Sequence, residues 1–357
     1  MDNIGGAEIV ALSLARELSA DLYTTNIDAD KIIKMGYSDV LNRIYSIGKI
    51  PKQAPFRQQL AFWKFRHLDL TSRYDFFIIA GDWAMSAAVN HHPNIWYVHS
   101  PLNELWAFTD FIKEKVLSLW KKPIYDLWVK FNRYLSLKYS KSVDNWACNS
   151  KNTKQRILDF YQQEASIIYP PINTNCESQG GGDYWLSVNR LITHKRLDLQ
   201  MEAFAKLPQE KLIMVASYEQ GVAQFEKYKK YIESIKPSNV IIKHWVDATE
   251  LEDLYVNCKG FITTASNEDF GMTVVEAMAH GKPVIAPNEG GYPESVIDQV
   301  NGRLIDEINS DKLAEAIKLI DGNLKDNPLF YKEANIKRAQ TFGTSEFIVK
   351  IKAIINK

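Results

Sequence analysis

Short apolar runs alternate with segments of helical periodicity along nearly the whole chain, and this alternation limits its fold more than any other feature. In the first half the apolar runs are Leu22–Thr25, Arg43–Ile47, Phe76–Ala80, Ile95–His99, Asn145–Cys148 and Ile167–Tyr169. In the second half they are Tyr184–Val188, Leu212–Ala216, Val240–Lys243, Gly260–Thr263, Pro283–Ala286 and Gly302–Ile305. Helical patterns lie between them, among them Ala7–Leu18, Asp198–Leu207, Leu251–Asn257, Thr273–His280 and Asp311–Ile320. Parallel neighbours need a crossover long enough to hold a helix, so the pattern predicts parallel sheets with helices on both faces.

The alternation breaks once, at Tyr169-Pro-Pro-Ile172 and the glycines Gly180–Gly182, and then restarts. Two prolines stop a strand and three glycines hold no regular structure, so this stretch reads as a linker. The expected architecture is α/β, with two doubly wound domains facing a cleft, residues 1–170 and 171–340. The tail, 341–357, is helical over Thr344–Asn356.

Composition narrows the function. The chain has 43 basic and 43 acidic side chains and no net charge, which argues against a nucleic-acid partner. The cysteines Cys148, Cys176 and Cys258 are odd in number and lack C-x-x-C spacing, against both a disulfide framework and a zinc site. No apolar run reaches membrane-span length and the N-terminus lacks a signal peptide, so a cytoplasmic protein is expected.

The strongest chemical signal is Glu268-Asp-Phe-Gly-Met-Thr-Val-Val-Glu276. Glu268 falls in the loop at the carboxyl end of a strand, where open α/β sheets bind ligands. Gly271 lets a ligand approach the backbone. The N–H groups that follow, with the dipole of the Thr273–His280 helix, suit a diphosphate. Glu276, on the first turns of that helix, has two oxygens able to accept from vicinal ribose hydroxyls. The plainer reading is a pair of solvated carboxylates at a helix start.

With these residues the sequence resembles glycosyltransferase family 4, of the GT-B fold, over nearly its whole length. The carriers are the E-x7-E pair, G-G-A-E at Gly5–Glu8, Y-V-H-S-P at Tyr97–Pro101 and Y-P-P-I at Tyr169–Ile172. N-R-L-I-T-H-K-R at Asn189–Arg196, G-G-Y-P-E at Gly290–Glu294 and N-G at Asn301–Gly302 complete the set. The resemblance implies a retaining, metal-independent hexosyltransferase that uses a nucleotide sugar and has no cofactor. In it Glu268 holds the donor sugar, Glu276 the ribose, and Arg190 and Lys195 the diphosphate, in place of a metal. His99 contacts the transferred sugar. Gly5 and Gly6 approach the phosphates, and Phe270, Gly271, Met272 and Thr273 line the donor site. The C-terminal helix is expected to pack back on the first domain.

Tyr97–Pro101 and Trp106 read most like members that take mannose from GDP-mannose, although Asn103-Glu104 and Ala107 depart from their pattern. A UDP-sugar is the other donor, and the acceptor is a glycan or a lipid-linked sugar. The rivals are a non-catalytic nucleotide-sugar-binding protein of the same fold and a nicotinamide dehydrogenase. No G-x-G-x-x-G follows a strand to support the latter. The family's strand before the glycine loop has no counterpart, and an apolar segment upstream of Met1 is the expectation drawn from that.

Asp28-Ala29-Asp30 imitates a metal-binding D-x-D but reads as a polar loop, and His91-His92 reads as surface without a carboxylate partner. Over Leu105–Lys141, Trp106, Trp120 and Trp128 alternate with eight basic side chains against three acidic ones. This composition fits both core packing and peripheral attachment to the inner face of an anionic membrane.

Overall fold

The computed structural model describes residues 1, 5–51, 56–101, 105–107, 109–178, 182–218 and 223–356. Two compact units make up the chain: Met1–Tyr169 with Phe347–Lys357, and Pro170–Glu346.

The first unit holds β1 (Leu22–Thr24), β2 (Ile44–Ser46), β3 (Phe77–Ala80), β4 (Asn94–Val98), β5 (Asn145–Cys148) and β6 (Ser166–Ile167). β3-β4-β5-β6 form a parallel sheet, while β1 and β2, among the described residues, pair with each other. Every residue of β4 is buried, as expected of a parallel strand covered on both faces. Trp96 on β4 meets Trp146 on β5 at 4.8 Å and Tyr161 edge-on at 5.5 Å. Between β1 and β3 lies a cavity of about 400 Å³ lined by Ala15, Leu22, Phe77, Ile79 and Ile355. Two strand edges thus flank an apolar space beneath the Gly6–Glu17 helix. The C-terminal helix, Thr344–Ile355, buries Phe347 edge-on against Tyr97 at 5.6 Å.

Two local expectations change here. Asp28 caps the Ala29–Lys34 helix by accepting from the Lys31 N–H at 3.3 Å. His91 is buried rather than on the surface: its Nε2 accepts from the Leu70 N–H at 3.1 Å and its Nδ1 lies 2.7 Å from the Ala87 carbonyl. His92 does have a carboxylate partner, Asp144, at 2.8 Å.

The second unit holds β7 (Trp185–Arg190), β8 (Leu212–Ser217), β9 (Val240–Lys243), β10 (Gly260–Ile262), β11 (Val284–Pro287) and β12 (Gly302–Ile305). All are parallel, in the order β12-β11-β10-β7-β8-β9. The chain builds outward from β7 to β9, then crosses back to place β10 on the other side of β7. The loops leaving β7 and β10 diverge at this reversal, which is where a doubly wound sheet opens a ligand site.

Candidate functional site in the second unit

β7 ends at Arg190, which is exposed. A tight turn, Thr193–Lys195, follows, and Arg196 takes left-handed backbone with φ 48°. The Arg196 guanidinium reaches into the loop after β10, donating to the carbonyls of Thr264 at 2.6 Å and Ala265 at 3.2 Å and pairing with Glu289. Thr264 Oγ1 donates back to the Lys195 carbonyl at 2.7 Å, and the Ser266 N–H donates to the His194 carbonyl at 2.8 Å. These bonds fix the two loops to each other.

Within this frame Lys195 forms an ion pair with Glu268, the two side chains 12% and 22% exposed. Burial pushes the Glu268 carboxyl up, but the charge of Lys195 and its hydrogen bond outweigh burial and hold it below the usual range. His194 beside them is driven down to about 4 by burial and by the Lys195 charge, so it is neutral at physiological pH.

The Glu268 loop has a glycine bed. The Gly291 N–H donates to the Glu268 carbonyl at 2.8 Å. A Cβ on Gly290, itself at φ 63°, would fall 2.5 Å from that same oxygen, and one on Gly291 would fall 2.4 Å from the Asp269 oxygen. Gly271 has φ 87°, and a Cβ there would meet the Tyr292 ring at 2.6 Å. The Met272–Ala279 helix starts at this point with no side-chain cap. Met272 and Thr273 are partly exposed on its first turn, whereas the Phe270 ring is buried against Phe342 at 5.4 Å, so a ligand in this loop meets its backbone only. Glu276, one turn on, accepts from the Tyr255 hydroxyl at 2.8 Å, and burial raises its carboxyl despite that bond.

Arg190, Lys195, Glu268, Phe270, Gly271, Met272, Thr273 and Glu276 therefore share one unit; His99, Gly5 and Gly6 belong to the other. His99 follows β4 with its ring edge-on to Tyr97 at 5.1 Å. Its buried Nε2 has no hydrogen-bond partner among the described residues, and burial lowers it to about 4. Gly5 is extended, φ −173°, at the start of the Gly6–Glu17 helix. Asn103 and Glu104 lie outside the described residues.

Sequence reading gave no role to His194, Arg196, Tyr255 or Thr264. Arg196 and the Gly290-Gly291 pair stood inside recognised motifs, but the Arg196 contacts cross 68 to 93 residues of chain.

The tryptophan-rich segment divides. Trp106 stacks on Phe160 at 5.0 Å within the core, and Trp128 stacks on Tyr125 at 5.8 Å. Trp120 is 69% exposed. The Lys122–Ser140 helix turns Val129, Asn132, Ser136 and Ser140 inward and leaves Ile124, Leu127, Phe131 and Tyr134 exposed. Its outer stripe is more apolar than its buried face. Among the described residues no helix is long and apolar enough to cross a membrane.

Residues 175–334 match the model for glycosyl transferases group 1. The chain is 26% identical to the alpha-1,3/1,6-mannosyltransferase ALG2 of Candida glabrata over 318 residues, covering 72% of this chain and 67% of that protein. Against ALG2 of Dictyostelium discoideum it is 24% identical, covering 99% and 96%. Among solved structures it superimposes on Anabaena HepE in complex with UDP and glucose, with TM-score 0.78, 18% identity, and coverage of 100% and 97%. The chain thus has the GT-B fold, with two Rossmann-like α/β units, and is similar in sequence to glycosyltransferases.

Proposed function

We propose that the protein is a retaining hexosyltransferase that moves mannose from GDP-mannose to a lipid-linked or glycan acceptor without a metal. The observation that carries this reading is the switch point between β7 and β10. There Lys195 pairs with Glu268, the charge of Arg190 acts on the same carboxylate, and the Met272–Ala279 helix starts without a side-chain cap. A departing nucleoside diphosphate builds negative charge. Fixed cations and helix N–H groups in a partly buried site stabilise that charge without reorganising. Lys195, shared between Glu268 and the diphosphate, ties the sugar-orienting carboxylate to the leaving group. Glu276, already bonded to Tyr255, accepts from the ribose hydroxyls.

Arrival of the acceptor on the leaving-group face accounts for retention. The diphosphate oxygen takes the acceptor proton, so no side chain is assigned as base. The buried Nε2 of His99 suits a hydroxyl of the transferred sugar, since an unpaired buried polar atom costs about 1–3 kcal/mol. Likeness to the ALG2 mannosyltransferases favours mannose. A UDP-sugar is the second reading, favoured by the likeness to HepE, which was crystallised with UDP and glucose. The exposed stripe Trp120, Ile124, Leu127, Phe131 and Tyr134, beside Lys121, Lys130, Lys138 and Lys141, supports an in-plane seat on an anionic bilayer where a lipid-linked acceptor is presented.

Thermal stabilisation by a panel of sugar nucleotides, followed by transfer assays with the best binder, tests the proposal. Stabilisation by GDP-mannose and an α-linked product are expected. Preference for a UDP-sugar selects the second reading. Binding with no turnover on any lipid-linked or glycan acceptor identifies a non-catalytic binder.

A further inference from the structure

We infer that Cys176, Glu252 and His280, none of them assigned to transfer, form a binding site for a thiophilic divalent ion such as zinc beside Glu276. Their donor atoms lie within 4.8 Å of one another, although they come from three separate parts of the second unit. Glu252 stands on the Ala248–Asn257 helix, His280 closes the Met272–Ala279 helix, and Cys176 lies in the segment after Ile172.

The histidine is already oriented as a metal ligand. Its Nδ1 lies 2.8 Å from the Glu276 carbonyl, which can only accept, so the proton sits on Nδ1. Nε2 then faces the Glu252 carboxylate at 2.9 Å. A proton shared between the two closes such a contact, and a divalent ion ligated by both takes that proton's place. A backbone carbonyl bonded to the far nitrogen is the usual partner that fixes a metal-binding imidazole. Tyr255 stacks on the same ring at 5.2 Å and 15°, holding its plane.

The Cys176 thiol donates to the Asn173 carbonyl at 3.2 Å, and its segment is tied to the His280 turn. Ser178 Oγ donates to the His280 carbonyl at 2.8 Å, and Lys332 Nζ donates to the Ser178 carbonyl at 3.0 Å. Glu252 is 47% exposed while His280 is 3% exposed, so the site opens to solvent on the carboxylate side, leaving room for a water ligand and a route of entry. One sulfur, one imidazole nitrogen and one carboxylate make a set suited to zinc and unsuited to magnesium, which prefers six oxygens. Binding forms a sulfur–metal bond and releases the thiol proton to solvent.

Calorimetric titration of the whole chain with zinc chloride, and the absorption spectrum with cobalt chloride, test the site. One equivalent per chain is expected, with affinity falling about tenfold or more in Cys176→Ser and in His280→Gln. A thiolate-to-cobalt charge-transfer band is expected in the parent chain and points to Cys176, because Cys148 and Cys258 are buried. That spectrum decides the matter even where a variant fails to fold. Absence of the band, or zinc affinity unchanged in both variants, overturns the inference.

Discussion

Replacing Lys195 by methionine separates the electrostatics of the site from its shape, because the chain length is kept and the charge is lost. Removing one partner of a buried ion pair costs about 3–5 kcal/mol, since the other charge stays behind uncompensated. Here the side chains are 12% and 22% exposed, so water relieves part of the cost. About 2–3 kcal/mol is expected, a fall in melting temperature of about 5–10 °C for a domain of this size. The pH dependence identifies the cause. In the parent chain Glu268 is depressed, so it contributes stability above the unfolded glutamate value of about 4.3, and that stability is lost as pH falls through the lower folded value. Without Lys195, burial is opposed only by the weaker pull of His194 and Arg190, so the folded value rises and the penalty is greatest at neutral pH. The gap in melting temperature between parent and Lys195→Met should therefore be full at pH 7 and close as pH falls to about 4 and below. The double variant Lys195→Met/Glu268→Gln should recover most of the loss at pH 7. A gap that does not change with pH, or a double variant no more stable than the single one, refutes the reasoning.

Glu276→Ala should weaken nucleoside diphosphate binding about tenfold or more by titration, while Glu268→Ala should spare binding and lower turnover about a hundredfold. Chelation with EDTA should leave the rate of transfer unchanged at saturating donor, because the proposed transfer gives Arg190 and Lys195 the charge-stabilising role of a metal; rescue of a lost rate by magnesium would contradict this. The pair of changes Leu127→Glu and Phe131→Glu, both on exposed positions, should leave the melting temperature within about 2 °C and reduce sedimentation with phosphatidylserine vesicles about tenfold. Unchanged sedimentation would mean that the stripe does not face lipid.

What could be read without coordinates was whatever depends on neighbours in sequence. The expected strands all recur within a few residues of their predicted limits, because a parallel strand buried on both faces must be a short apolar run between helices. The placing of Glu268 in a loop and of Glu276 on the helix after it was legible for the same reason: strand, loop and helix follow one another directly in the sequence. The pairing of Lys195 with Glu268 was not legible. It depends on β10 lying beside β7, and strand order within a sheet leaves no local mark on the sequence. The lack of C-x-x-C spacing among Cys148, Cys176 and Cys258 argued against a zinc site, but it carries no information on Glu252 and His280, whose donor atoms folding brings within 4.8 Å of each other and of the Cys176 sulfur. Burial also overrode local appearance, drawing His91 into the core from a polar stretch and turning the apolar stripe of the Lys122–Ser140 helix outward. A side chain's environment is set by whatever packs over it, and for these residues that partner lies far away in the chain.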